Sequence, residues 1–120
     1  MADHNELGKE GEKIALDFLQ KKGYQILDTN WYYQKAEIDI IAQKKAGTLV
    51  VVEVKTRTNN FAGNPEEFVS PKKIKLLVQA ANEYVLSNEL DVEVRFDIIA
   101  IVKNNNYQNI EHIENAFYFF

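Results

Sequence analysis

A chain of 120 residues with 46% hydrophobic side chains can bury a core of its own and predicts one domain over residues 1–120. It has no cysteine, which excludes disulfides and thiolate metal sites and suits a reducing compartment. A net charge of −4 weighs against a uniformly basic nucleic-acid binder, yet residues 55–75 carry Lys55, Arg57, Lys72, Lys73 and Lys75 against Glu66 and Glu67, a local excess of +3.

The opening residues, MADHNELGKEGEK, form no apolar signal region, and no apolar run approaches membrane-spanning length, so a soluble cytoplasmic protein is expected. His4 and His112 are too far apart in sequence for a local metal motif. Asp3 and Glu6 have the spacing of a capping box, and Leu7, Ile14, Ala15, Phe18 and Leu19 then recur at helical spacing. KKG at 21–23 supplies a basic last turn and a glycine stop. A strand is predicted around residues 24–33, followed by a hairpin of two strands near 37–43 and 49–56. A loop over 58–70, with Asn59, Asn60, Gly63 and Asn64, leads to a second helix with Ser70 as N-cap and Pro71 at its first position. That helix shows an apolar stripe of Ile74, Leu77, Val78, Ala81, Tyr84 and Val85. A fourth strand spans 92–102, and a short fifth runs through NIEHI. The order αβββαβ(β) predicts an α/β fold, a mixed sheet flanked by helices.

The hairpin holds the chemistry. Its turn, with Gly47 in a left-handed position, predicts a register in which Asp39 falls opposite Glu53 and Glu37 opposite Lys55, all four on one face. Ile38, Ile40, Val50, Val52 and Val54 would make the other, core face. Directly opposed residues have Cβ atoms roughly 4.5–5.5 Å apart, so two carboxylates would repel there. A divalent cation relieves that repulsion, and carboxylates without histidine or cysteine suit Mg²⁺, Mn²⁺ or Ca²⁺. The plainer reading is a solvated strand face with ordinary cross-strand ion pairs.

The strings GKEGEKIALDFLQKKGYQIL, AEIDIIA, VVVEVKTR, RFDIIAI and IENAF, in that order, resemble the YraN-like family of uncharacterised bacterial proteins. The resemblance implies a restriction-endonuclease-like fold, as in archaeal Holliday-junction resolvases, and a metal-dependent nuclease with Mg²⁺ or Mn²⁺ as cofactor. Matched to that superfamily, Asp39, Glu53 and Lys55 are the expected catalytic residues. Asp39, Glu53 and Glu12 are the expected metal ligands, and the partner is nucleic acid, DNA in branched or structured form. The chain departs from the family pattern at Ala36, where a glycine is usual, and at Tyr32, where arginine is usual.

Around this centre, Arg57, Lys72, Lys73 and Lys75 are candidates for gripping a nucleic-acid backbone. The three lysines lie in or beside the first turn of the second helix, where a cation is unfavourable unless a phosphate is near. Glu37 is a candidate for orienting the site from behind; for Arg95 and Asp97 a structural ion pair or a helix-capping contact is the default reading, and a role orienting Lys55 or Glu53 the second. Gly8 and Gly11 fit close packing of the first helix on the sheet. Trp31, Tyr32 and Tyr33 suit base stacking or core cover. The tail AFYFF suits cover for the sheet or packing against a second copy in a homodimer. A nucleic-acid-binding module without catalysis, and a protein-interaction domain, are the other functional readings.

Overall fold

In a computed structural model of the chain, residues 2–59 and 69–117 are described, residues 2–5 by backbone alone. Helix α1 (Ala2–Lys21) leads into β1 (Gln25–Tyr33), β2 (Ala36–Gln43) and β3 (Thr48–Arg57). Helix α2 (Pro71–Ser87), β4 (Glu93–Asn104) and β5 (Tyr107–Ile113) follow. The five strands form one sheet in the order β1-β2-β3-β4-β5, with β3 and β4 parallel and every other pair antiparallel. The architecture is therefore mixed α/β, as the sequence predicts, and the fifth strand is a full hairpin partner of β4.

The helices cover opposite faces. On one, Ala15 and Leu19 of α1 pack on Ile40, Ala42, Val50, Val52, Ile99 and Ile101. On the other, Leu77, Ala80, Ala81 and Tyr84 of α2 pack on Ile38, Ile41, Leu49, Val51, Phe96 and Ile98. Covering on both faces explains why β2, β3 and β4 read as nearly continuous apolar runs rather than alternating ones. Trp31 belongs to the α2-side core, its ring edge-on to Tyr84 at 5.2 Å. Phe117 stacks on Phe96 at 5.3 Å, so the start of the aromatic tail covers the sheet; residues 118–120 lie outside the described residues.

Local signals behave as their chemistry dictates. Gly23 (φ 93°) ends α1, with Tyr24 N–H bonded to Leu19 C=O and Gly23 N–H to Gln20 C=O. Gly47 (φ 89°) shapes the hairpin turn. Ser70 caps α2, its Oγ accepting from Lys73 N–H at 3.1 Å, with Pro71 next in line. At Gly11 a Cβ would stand 1.9 Å from Thr56 Oγ1, so its absence sets the approach of α1 to β3; Gly8 has open space and no such role. Asp3 is no preceding cap, because α1 already runs at Ala2. Most of the expected loop before α2, residues 60–68, lies outside the described residues. Among the described residues no helix is long and apolar enough to cross a membrane.

One irregularity positions the site. The β2–β3 pairs Ile40↔Val52, Ile41↔Val51 and Ala42↔Val50 keep the expected register, but the ladder stops at Ile40. Beyond it Val54 N–H bonds not to a backbone carbonyl but to Asp39 Oδ2, at 2.8 Å. The expected Asp39–Glu53 and Glu37–Lys55 ladder pairs are therefore absent. The expected single core face also breaks, since Ile38 joins the α2-side core and Ile40 the α1-side core. Asn30, on β1 between the pairs Thr29↔Ile40 and Trp31↔Ile38, takes a left-handed φ of 47°. At Asp39, then, β2 changes the face it buries and separates from β3, and polar side chains collect in the opening.

Candidate functional site

Glu53 is the anchor of this opening. It stands on β3 between Val52 and Val54, paired with Ile98 of β4, and is only 3% exposed. One carboxylate oxygen, Oε2, meets two ammonium groups: Lys73 of α2 at 2.5 Å and Lys55 of its own strand at 3.5 Å. The other, Oε1, is buried and has no hydrogen-bond partner among the described residues. A buried carboxylate oxygen left without a partner is costly, so such a group signals either strain or a missing ligand.

Asp39 lies beside it. Burial, the negative charge of Glu53, and at longer range Glu12 and Glu37 push its pKa up to about 8, against the opposing hydrogen bond from Val54 N–H. Glu12 on α1 and Glu37 on β2 are brought together by Asn30, whose Nδ2 donates to Glu12 Oε1 at 3.0 Å and to Glu37 Oε2 at 3.1 Å. Tyr32 flanks them, 65% exposed, its pKa raised by a hydrogen bond to Glu37. Four carboxylates thus face two lysines. The closeness of α1, permitted by Gly11, is what brings Glu12 within electrostatic reach of Asp39.

The donor set fits a hard divalent cation. Of two adjacent carboxylates, one has an oxygen without a partner among the described residues and the other is pushed toward its protonated form by burial and by the first one's charge, an arrangement that a cation would relieve. Asp39 and Glu53 would hold such an ion, with Glu12 the nearest further carboxylate on α1. Among the described residues no three His, Asp or Glu side chains already converge on one point, so the remaining ligands would come from side-chain movement or water.

The other candidates separate into groups. Lys73, expected on the nucleic-acid face with Lys72 and Lys75, instead contacts Glu53; Lys72 in the first turn of α2 and Lys75 just after it are exposed. Arg57 is exposed at the end of β3 and lines a cleft of about 770 Å³ against α1, with Lys9, Lys13, Glu6 and Glu10. The grip expected of these four residues is therefore divided between the two sides of the sheet.

Arg95 and Asp97 do not orient Lys55 or Glu53 but form a network of their own. On β4 they alternate with Phe96 and Ile98 of the α2-side core, so they face the α1 side. Asp97 is fully buried and takes a two-pronged ion pair from Arg95 (Nε 2.9 Å, Nη2 2.8 Å), Asn115 N–H (3.0 Å) and His112 Nε2 (2.8 Å). His112 Nδ1 accepts from Lys22 Nζ at 2.7 Å, which places the ring proton on Nε2. Arg95 also donates to Tyr24 OH at 2.7 Å. Burial opposes the charge of Asp97, but His112, Arg95 and the Asn115 amide outweigh it and hold the pKa below its ordinary value. Among the described residues neither Arg95 nor Asp97 bonds to Glu53 or Lys55, so the structural ion pair is the reading the geometry selects.

Sequence reasoning missed Asn30, whose only signal is an asparagine inside an aromatic strand, and the tie between Lys73 and Glu53, which joins residues far apart in the chain. At Ala36 the residue is buried in the α2-side core without a positive φ, so alanine carries no backbone strain where the family pattern has glycine.

A sheet covered on both faces, with a carboxylate–lysine cluster where two of its strands part, defines a mixed α/β protein with a preformed polar site. The chain belongs to the Uncharacterised protein family UPF0102, whose model matches residues 11–101. It is 62% identical to a UPF0102 protein of Flavobacterium psychrophilum and 58% to one of Christiangramia forsetii, over the full length of both chains in each case. It is 48% identical to one of Phocaeicola vulgatus over 98% of this chain and 97% of that one. The matched segment contains Glu12, Asp39, Glu53, Lys55 and Lys73.

Proposed function

We propose that the protein is a Mg²⁺- or Mn²⁺-dependent phosphodiesterase acting on nucleic acid, DNA of branched or structured form. The observation that carries this reading is the buried Glu53, with one oxygen lacking a partner among the described residues, beside an Asp39 whose pKa burial and the charge of Glu53 raise. The resemblance of Asp39, Glu53 and Lys55 to the restriction-endonuclease-like pattern points the same way.

When bound, the divalent ion would acidify a water and stabilise charge on the scissile phosphate. Asp39 and Glu53 would hold that ion through their carboxylate oxygens. Lys55, on the same face of β3 as Glu53, offsets the negative charge that develops on the phosphate. Glu12 and Glu37, steadied by Asn30, keep the site acidic enough to favour a divalent over a monovalent cation. Lys72 and Lys75 meet the flanking backbone at the start of α2.

The test is a Mn²⁺ nuclease assay over junction, flap, single-stranded and duplex DNA, with Glu53→Ala and Lys55→Ala as controls. Cleavage of at least one substrate by wild type, lost in Glu53→Ala and in Lys55→Ala despite retained folding, is the expected result. A second reading is favoured by the lack of three converged ligand side chains among the described residues: a nucleic-acid-binding module with the fold but no catalysis. It predicts salt-dependent retention of the same substrates, uncut with Mn²⁺ present.

A further inference from the structure

Lys73 and Lys55 crowd one oxygen of Glu53 while the other oxygen has no partner among the described residues. Glu53 thus keeps spare acceptor capacity on one oxygen beside a surplus of cations on the other. Asp39, next to this surplus on Glu53, has Val54 N–H as its one hydrogen-bond donor among the described residues. Lys73 also stands in the first turn of α2, the positive end of the helix, where an ammonium group is unfavourable unless an anion answers it. Its side chain is 43% exposed and borders a small cleft of about 270 Å³ formed with Lys35, Ala36, Glu37, Leu76 and Leu77, so it has room to leave Glu53.

We infer that Lys73 is a displaceable counter-ion: it occupies Glu53 in the metal-free protein, gives way when a divalent cation binds there, and transfers its charge to the phosphate backbone of the nucleic acid. This rests on the metal-dependent reading above and adds an ordering to it. Lys73 competes with the metal for Glu53, yet reinforces the substrate once the metal is present. The helix end drives the second half, because an ammonium released from Glu53 still needs an anion there and a phosphate also suits the helix N-terminus. Metal and nucleic acid then bind with positive coupling, and that coupling depends on residue 73.

Calorimetric titration of Mn²⁺ into wild type, Lys73→Met and Lys73→Arg tests the first half. Lys73→Met keeps the apolar stem and removes the competitor, so its Mn²⁺ affinity should rise roughly tenfold, while Lys73→Arg stays near wild type. A purely structural role predicts unchanged or weaker binding in Lys73→Met. The second half is tested with a cleavage-resistant phosphorothioate oligonucleotide: Mn²⁺ should raise its affinity for wild type several-fold more than for Lys73→Met. Independently of how Lys73→Met folds, the wild-type Lys73 side-chain Cε resonance, assigned by its loss in Lys73→Arg, should shift on saturation with Mg²⁺. Equal Mn²⁺ affinity in all three proteins, or a Cε resonance that does not move, overturns the exchange while leaving the metal site intact. An absence of Mn²⁺ binding in wild type and Lys73→Met alike overturns the metal-dependent reading and the exchange with it.

Discussion

The substitution Asp39→Asn tests the electrostatics of the opening directly. Asparagine keeps the shape and the oxygen that accepts from Val54 N–H, and it removes a charge that burial and Glu53 oppose. With a folded pKa near 8, against 3.8 for the free side chain, Asp39 takes up a proton on folding between about pH 4 and pH 8. A carboxyl group raised in this way makes wild type lose stability as pH rises through that window, at up to roughly 1.4 kcal/mol per pH unit. Side-chain relaxation and water around Glu12 and Glu37 reduce the total, and ~2 kcal/mol by pH 8 is expected. For a domain of this size that is a melting-temperature difference of roughly 6–12 °C. In EDTA the variant should therefore melt well above wild type at pH 8 and close to it at pH 4.5. Adding Mn²⁺ should narrow or invert the gap at pH 8, because wild type gains about 2.7 kcal/mol at a hundredfold excess over Kd and the variant, short of one anionic ligand, gains much less. The measurement is a thermal melt by circular dichroism across both pH and Mn²⁺. A gap independent of pH and of Mn²⁺ would refute the idea that Asp39 and Glu53 form a charge-strained pair awaiting a cation.

Asp97→Ala should destabilise by about 3–5 kcal/mol in denaturant melts, because it strands the Arg95 guanidinium and His112, while leaving Mn²⁺ affinity unchanged. Since the Asp97 pKa is depressed, its contribution holds above the ordinary carboxylate pKa and is lost as pH falls through the folded value; the variant's acid limb should be correspondingly shallower. Gly11→Ala should cost ~1–3 kcal/mol through its clash with Thr56, whereas Gly8→Ala, in open space, should stabilise by up to about 1 kcal/mol in the same melts. The double variant Lys72→Ala/Lys75→Ala should weaken DNA binding across sequences and reduce the log–log salt slope by about 2, measured by fluorescence anisotropy; an unchanged slope would remove the start of α2 from the binding face.

Much of this protein is determined by short-range chemistry and is therefore legible in the chain alone. Gly23 and Gly47 fall where the backbone must turn left-handed, and Ser70 and Pro71 where a helix must begin. Asp39, Glu53 and Lys55 are singled out by a hairpin register and by resemblance; the register holds near the turn, over the pairs 40–52 to 42–50, but not at Asp39 and Glu53 themselves. The rest was decided by partners that only the folded chain brings together. Alternation cannot foresee that β2 parts from β3 at Asp39, because the cause is a side chain replacing a carbonyl as the acceptor of Val54 N–H, with Asn30 left-handed on the neighbouring strand. Spacing cannot tell that Lys73 turns toward Glu53 while Lys72 and Lys75 face solvent, since the approach of α2 to the sheet selects which lysine meets the carboxylate. Nor could it separate Arg95 and Asp97 from the site. Their place on the α1 side follows from the register of β4 against β3, and their partners Tyr24 and His112 arrive from distant parts of the chain, where only burial of a charged pair makes them necessary.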